Sequence, residues 1–195
     1  MDFFKQNFNS EELQEGQIFL IDKPLGWTSF QVVNKIRWHL KNTTGLKKLK
    51  VGHAGTLDPL ATGLLLICTG KKTKIISTLQ DSEKEYTGTF KLGATTPSYD
   101  LETEIDETFS IEHVTSEILE KTTKQFIGKI QQQPPVFSAL KKDGKRLYEY
   151  ARAGQSVEIQ KRDVTVVEFK ITNTELPNIN FLIRCSKGTY IRSLA

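Results

Sequence analysis

The sequence predicts an α+β fold with a mixed or antiparallel sheet. Segments typical of strands and of helices interleave along the 195 residues, without the regular βαβ repeat of a parallel sheet. The longest apolar block, GLLLIC at residues 63–68, has the length of a buried strand. A mass of 22.1 kDa is typical of one domain with a substantial hydrophobic core.

The first half of the chain is predicted to begin with a loose N-terminal segment and a strand at Ile18–Ile21. A helix then starts after Thr28 or Ser29, since either side chain can cap it. Its apolar residues recur at helical spacing, so we expect one buried face. That face consists of Phe30, Val33, Ile36 and Leu40. The further elements are a glycine-rich loop at 51–62, a strand at Leu64–Cys68 and a helix near Thr73–Leu79.

The second half is predicted to open with a strand at Tyr86–Leu92 and to continue with a helix at about 115–127. The residues of this helix expected to face inward are Ile118, Leu119, Thr122 and Phe126. Two prolines at 134–135 interrupt regular structure. After them we expect a short helix near Arg146–Ala153, followed by Gly154, and strands at Val164–Ile171 and Phe181–Ser186.

The composition excludes several classes of protein. With 37% hydrophobic and 26% charged residues, the chain is neither disordered nor collagen-like. No apolar run is long enough to span a membrane, so we expect no membrane partner. Cys68 and Cys185 lie in apolar, strand-like runs, which predicts reduced thiols and a cytoplasmic protein. The three histidines are scattered without zinc-ligand spacing, so we expect no metal.

Charge is distributed unevenly along the chain. Residues 96–120 contain eight acidic residues and no Lys or Arg, whereas residues 121–195 contain 14 basic and six acidic residues. A basic surface with a segregated acidic segment favours a polyanionic partner such as nucleic acid. Ordinary solvated surface charge explains the same counts, and charge alone does not separate the two hypotheses.

Three segments contain candidate functional residues. In the loop at 51–65, Asp58 precedes Pro59, which favours an extended backbone and can direct the carboxylate into a cleft; a turn-forming aspartate is the alternative. In KEYTG at 84–88, Tyr86 could stack on a base or belong to the core. In RCSKGTYIR at 184–192, Arg192 could orient a buried aspartate or lie on the surface.

A phosphate-binding loop is rejected. Gly63 and Gly70-Lys71 have the wrong spacing for one, and Lys72 occupies the place of the Ser or Thr that would hold magnesium.

Taken together, these segments resemble the TruB family of tRNA pseudouridine synthases over nearly the whole chain. One motif consists of Thr96, Ser98 and Asp100, and in it Ser98 replaces a threonine of the family pattern. The segments that carry the resemblance are DKPLGWTS at 22–29, GHAGTLDPLATGLL at 52–65, KEYTG at 84–88, PPVFSALK at 134–141, Thr96, Ser98 and Asp100, LYEYAR at 147–152, and SKGTYIRSL at 186–194.

The resemblance implies a pseudouridine synthase fold, with a mixed, mostly antiparallel sheet flanked by helices, and a set of active-site residues. Asp58 corresponds to the essential aspartate, Tyr86 to the tyrosine that stacks on the target uracil, and Arg192 to the arginine paired with that aspartate. Tyr190 corresponds to a neighbouring active-site tyrosine, and His53 to a histidine that fills the space of the flipped base.

The resemblance also implies residues outside the reacting centre. Lys23 and Pro24 correspond to a loop packed behind the site. An RNA-gripping insertion at about 131–154 is expected to hold the T arm of tRNA through Lys141, Arg146 and Arg152. Family members extend beyond Ala195, so residues 1–195 are expected to be a catalytic domain that is incomplete at its C-terminus and lacks the C-terminal RNA-binding region. Arg192 would then be loosely held, because chain ends fray.

The activity implied is isomerisation of the T-loop uridine at position 55 of tRNA, with base flipping and without cofactor, metal or obligatory protein partner. The initial role of Asp58 stays open among attack on C1′, attack on C6 and removal of a ribose proton. The alternatives are a tRNA-folding chaperone of the same fold that does not need catalysis, and a guide-RNA-dependent synthase that needs partner proteins.

Overall fold

The computed structural model describes residues 3–195, which pack as two compact units, one ending at Ser82 and the other beginning at Glu83. All strand pairs in the two units are antiparallel among these residues. Within the same range, no helix combines the length and apolar character needed to cross a membrane.

The first unit is built on a three-stranded sheet of order β1-β3-β2. β1 pairs with β3 from Ile18 opposite Cys68 to Lys23 opposite Gly63. Two 3₁₀ helices, Phe3–Lys5 and Gly70–Ile75, belong to this unit. Its other elements are α1 (Ser10–Glu15), β1 (Ile18–Lys23), α2 (Ser29–Thr44), β2 (Val51–His53), β3 (Gly63–Thr69) and α3 (Ile76–Gln80).

Helix α2 begins at a capping box, in which Thr28 accepts from the Gln31 N–H and the Gln31 side chain accepts from the Thr28 N–H. The prediction for its buried face is wrong at Phe30, which is 61% exposed. Val32 is buried instead, because it lies four residues before Ile36 and eight before Leu40 and so shares their face of the helix. The core-facing residues are Val32, Val33, Ile36 and Leu40.

The N-terminal segment is helical where a loose chain was predicted. Asn9 caps α1 by accepting from the Glu11 N–H at 2.8 Å, and Leu13 is buried in the core of the first unit. α1 packs near Gly70, where an added Cβ would collide with the Gln14 carbonyl oxygen. Gly70 is therefore needed because two backbone segments pack closely here. This role agrees with the rejection of a phosphate-binding loop.

The second unit is built on a four-stranded sheet of order β4-β11-β10-β7. Val166, Phe169, Phe181, Ile183 and Cys185 form the centre of its core. Its elements are β4 (Lys84–Lys91), β5 (Ala94–Thr95), β6 (Glu107–Thr108), α4 (Ser116–Lys124), β7 (Gly128–Gln132), β8 (Lys141–Lys142), β9 (Lys145–Arg146), α5 (Leu147–Arg152), β10 (Arg162–Glu175), β11 (Asn178–Cys185) and a 3₁₀ helix at Ile191–Leu194.

Helix α4 is shorter than predicted, and its buried face differs from the predicted one. Leu119 and Thr123 are buried and Phe126 packs against the core, whereas Ile118 is 44% exposed and Thr122 is also exposed. Thr115 caps the helix by accepting from the Ile118 N–H, which fixes where the first turn begins. The inward-facing residues Leu119, Thr123 and Phe126 are therefore spaced at i, i+4 and i+7.

This difference in burial gives a test of the helix phase. We expect Leu119→Ala to lower the free energy of unfolding by about 2–3 kcal/mol, because it leaves a cavity. Ile118→Ala should lower it by less than about 0.5 kcal/mol, because that side chain is largely in solvent. Urea unfolding of the two variants measures both values, and equal losses would contradict the phase.

Candidate active site

The candidate catalytic loop lies in the first unit, between β2 and β3. Ala54 at its start donates to the Leu66 carbonyl at 2.9 Å, and Ala61 donates to the Asp58 carbonyl at 3.1 Å. The buried Ser29 hydroxyl accepts from the Leu57 N–H at 2.9 Å and donates to the Leu57 carbonyl at 3.1 Å. These bonds hold the backbone on both sides of the half-buried Asp58.

A buried lysine joins this loop to the one that follows β1. Lys23 is 0% exposed, and its ammonium donates to the carbonyls of Pro24 (3.0 Å), Trp27 (2.6 Å) and Pro59 (3.3 Å). The Gly26 N–H adds a bond to the Pro59 carbonyl at 2.8 Å. Desolvation lowers the pKa of Lys23, and the charge of Asp58 opposes that shift by favouring the ammonium form.

His53 ends β2 at the entrance to the same loop. Its half-buried ring places Nδ1 in hydrogen-bond contact with the Gly55 carbonyl oxygen. Because a carbonyl oxygen can only accept, Nδ1 is the donor in this bond, and Nε2 is left to face other partners. The first unit therefore brings Lys23, Pro24, His53 and Asp58 into one pair of linked loops.

In the second unit, Tyr86 lies opposite Ile183 in the β4–β11 pairing and is half-buried against the core. Two residues on, Gly88 lies opposite Phe181, and a Cβ on Gly88 would sit 2.6 Å from the Phe181 ring. The absence of a side chain at position 88 therefore makes room for the Phe181 ring, which stacks on Phe90 with ring centroids 4.2 Å apart.

Arg192 connects three segments that are distant in sequence. Its guanidinium forms an ion pair with Asp100 at 3.1 Å and donates to the carbonyls of Ser98 and Phe137, each at 3.1 Å. The Arg192 and Asp100 side chains are each only 13% exposed, so the pair is poorly screened by solvent. The alternative of a surface arginine is therefore excluded.

Asp100 is a residue to which the sequence analysis assigned no function. Its Oδ1 accepts from the Ser98 hydroxyl at 2.5 Å and from the Glu102 N–H at 2.9 Å. The Thr96 hydroxyl donates to the Asp100 carbonyl at 2.7 Å and accepts from its N–H at 3.1 Å. The TxSxD pattern at 96–100 was the available signal, because its hydroxyls organise the loop that presents Asp100.

Tyr190 immediately precedes the 3₁₀ helix that contains Arg192, so Tyr190 and Arg192 do not share a strand face. The Tyr190 backbone N–H donates to the Gln132 side chain at 2.7 Å, and the Tyr190 carbonyl accepts from it at 2.9 Å. Leu194 is buried in the core of the second unit. The prediction that Arg192 would be loosely held is wrong, because the helix is tied on several sides.

The predicted RNA-gripping residues cluster in a basic hairpin and the helix after it. β8 and β9 flank an Asp143-Gly144 turn, in which both residues have positive φ, as a two-residue hairpin turn requires. Lys141 and Arg146 are exposed and pair across the hairpin. Arg152 lies over the Tyr148 ring at 5.3 Å. The hairpin and α5 therefore present cations and aromatic rings together.

No group of three or more His, Cys, Asp or Glu side chains within residues 3–195 is arranged to hold a metal ion. The two cysteines are buried free thiols, one in each unit. Burial raises the pKa of both thiols, which keeps them in the neutral form.

Comparison with known proteins agrees with these motifs. The model of the TruB family pseudouridylate synthase N-terminal domain matches residues 41–191. This chain belongs to that family. A tRNA pseudouridine synthase B of Flavobacterium johnsoniae is 67% identical over 95% of this chain and 81% of its own. The protein of the same name from Phocaeicola vulgatus is 56% identical over 93% of this chain and 77% of its own.

Solved structures share the fold of this family. A chain of a Cbf5–Nop10–Gar1 complex matches 93% of this chain with a TM-score of 0.65 and 28% identity. An H/ACA RNP bound to a substrate RNA matches with a TM-score of 0.61 and 26% identity. This chain spans 43% and 41% of those two chains. The predicted family and the α+β pseudouridine synthase fold are thus confirmed.

The role of Lys23 can be tested through stability. Lys23→Met keeps the apolar length but removes the ammonium that bonds to three carbonyl groups, of which Pro59 keeps only the Gly26 N–H. The free energy of unfolding should therefore fall by about 2–4 kcal/mol. The matched control, Lys48→Met, changes an exposed lysine and should cost less than about 0.5 kcal/mol. Urea unfolding measures both, and similar values for the two variants would contradict the structural role.

Proposed function

We propose that this protein converts the T-loop uridine at position 55 of tRNA to pseudouridine. The observation that carries the proposal is the 67% identity, over 95% of the chain, to a relative named tRNA pseudouridine synthase B. The other relatives described above have the same name or the same fold. These names refer to a synthase, so the chaperone alternative is not favoured.

The reaction is an isomerisation in which no atom other than hydrogen is exchanged with solvent. The N1–C1′ bond of the uridine breaks, the uracil turns, and C5 bonds to C1′ while the proton on C5 is lost and N1 gains one. No electrons are transferred to another molecule. The protein must therefore supply a carboxylate, groups that keep it ionised, and a surface that holds the detached ring.

We assign the reacting carboxylate to Asp58. Its loop is braced by Ser29 at Leu57 and by Lys23 at Pro59, so the backbone on either side is fixed before RNA arrives. The Lys23 ammonium also favours a charged Asp58 through its field. A rigid, charged group loses little entropy on reaching the reactive arrangement. Attack on C1′, attack on C6 and removal of a ribose proton are three first steps open to it.

We assign Tyr86 and Arg192 to binding the substrate, with Tyr86 stacking on the uracil. The backbone of Tyr86 is fixed within β4, which limits its freedom before binding. Arg192 is oriented by Ser98, Asp100 and Phe137, so its planar fork is held in one direction. Tyr190 and His53 complete the proposed set of residues around the flipped base.

We assign recognition of the T arm to the basic hairpin and α5. Lys141, Arg146 and Arg152 are exposed cations suited to phosphate contacts. The Tyr148 and Tyr150 rings lie beneath Arg152 and Lys145. Base flipping costs a few kcal/mol, and phosphate contacts together with stacking must offset it.

The assignment of Asp58 predicts a loss of catalysis with retained binding. Asp58→Asn should abolish tritium release from tRNA labelled at uridine C5, while tRNA affinity changes little, because the role assigned to this side chain is in the reaction and not in phosphate binding. Asp163→Asn, at an exposed site on β10, is the matched control and should react like the wild type. A rate for Asp58→Asn within about tenfold of wild type would contradict the assignment.

The assignment of the hairpin predicts a change in salt dependence. Replacing Lys141, Arg146 and Arg152 by alanine should weaken tRNA binding and reduce the slope of log affinity against log salt by about one per residue. The control variant replaces the exposed Lys5, Lys35 and Lys91, with the same change in net charge. Equal slopes for the two triple variants would overturn this assignment.

A further inference from the structure

Gln132 is a buried polar residue in a run of three glutamines. It ends β7 and is 5% exposed, whereas Gln131 and Gln133 on either side are exposed. A buried amide is costly unless both its donor and its acceptor are satisfied. The structure must therefore provide partners for both ends of this side chain.

Both partners belong to the main chain of Tyr190. The Gln132 Oε1 accepts from the Tyr190 N–H at 2.7 Å, and the Gln132 Nε2 donates to the Tyr190 carbonyl at 2.9 Å. Two bonds from one planar amide fix the orientation of the backbone that they hold, as well as its distance from β7. Tyr190 is the residue from which the 3₁₀ helix with Arg192 begins.

Two further bonds continue this attachment along the chain. The Ser193 hydroxyl donates to the Gln133 carbonyl at 3.1 Å, and the Arg192 guanidinium donates to the Phe137 carbonyl at 3.1 Å. Residues 132–137 are thus joined to residues 190–193 by four hydrogen bonds. The two Gln132 bonds hold Tyr190, the residue from which the helix begins, and they therefore set the direction of the helix.

We propose that Gln132 is a positioning residue for the reaction, because it sets the orientation of Tyr190 and, through the helix, of Arg192. The inference rests on the proposed function, in which these two residues act at the flipped uridine. Gln132 touches neither substrate nor reacting atoms. Its contribution lies in the turnover rate rather than in RNA affinity.

Gln132→Glu provides a variant whose hydrogen bonding is switched by pH. An ionised glutamate can accept from the Tyr190 N–H, but it cannot donate to the Tyr190 carbonyl and instead repels it. A protonated glutamic acid has one donor and one acceptor in nearly the shape of glutamine. Burial raises the pKa of such a carboxyl, so protonation should restore both bonds at mildly acidic pH.

We expect the ratio of kcat for Gln132→Glu to that of the wild type to be about 0.1 at pH 8 and to rise several-fold by pH 5.5, with the KM for tRNA unchanged. β10 places Arg162 opposite Gln132 and Asp163 opposite Gln131, and the 3₁₀ helix adds Arg192. Because these groups are present in both proteins, the ratio removes their own pH dependence. Gln160→Glu introduces the same charge at an exposed site outside the RNA-gripping insertion, two residues before Arg162, and should give a flat ratio near one.

A second readout does not depend on activity. In Gln132→Glu, the backbone amide ¹⁵N shift of Tyr190 should titrate with the same midpoint as the kcat ratio, and in Gln160→Glu it should not titrate. If the wild type makes no pseudouridine, the proposed function fails while this titration still reports the Gln132–Tyr190 contact. An active wild type with a flat ratio, or with an effect on KM alone, would overturn the positioning role only.

If Gln132→Glu does not fold, Gln132→Asn takes its place. Asparagine keeps the amide but is shorter by one methylene, so it cannot reach both Tyr190 groups together. We expect kcat to fall about tenfold with tRNA affinity unchanged. A wild-type kcat in this variant would also overturn the inference.

Discussion

A buried cation must be surrounded by oxygen atoms, and each unit of this protein is organised around one cation that meets this requirement. In the first unit, the Lys23 ammonium collects the carbonyls of Pro24, Trp27 and Pro59. In the second, the Arg192 guanidinium collects Asp100 and the carbonyls of Ser98 and Phe137. Leaving such a charge unpaired costs far more than most single contacts contribute. The loops that supply the oxygens are therefore not free to move independently.

This constraint explains why the sequence motifs of the chain are spread so widely. Segments 22–29 and 52–65 supply opposite sides of the Lys23 environment, and segments 96–100, 134–141 and 186–194 meet at Arg192. Segment 52–65 contains both Asp58, proposed to react, and the Pro59 carbonyl that holds Lys23, and segment 186–194 contains both Tyr190 and the Arg192 cation. Stability and preorganisation of the site thus depend on the same bonds.

The sequence predicted the longer helices and strands, because apolar periodicity and capping residues are local signals. It missed the short strands: β2, which lies inside the predicted loop at 51–62, and β5 to β9. It misplaced Phe30 and Ile118, since an apolar residue at the margin of a helical stripe is assigned to a face only by the packing partner. It also missed the helix at Ser10–Glu15, whose single buried residue, Leu13, gives too little periodicity to detect. The sequence also did not predict that the strands are divided among separate antiparallel sheets. Which strands pair depends on residues far apart in the chain, and short segments do not encode it.

The candidate site shows a similar division between local and long-range information. Side-chain types such as Asp58 and Arg192 are visible in the sequence, and family motifs make them recognisable. Most of the oxygens that hold Lys23 and Arg192 are main-chain carbonyls, which every residue has and which therefore leave no compositional signal. The three consecutive glutamines at 131–133 are equivalent as letters, and strand alternation alone leaves either parity possible. Only the fold distinguishes Gln132, because it places that amide, and not its neighbours, against the backbone of Tyr190.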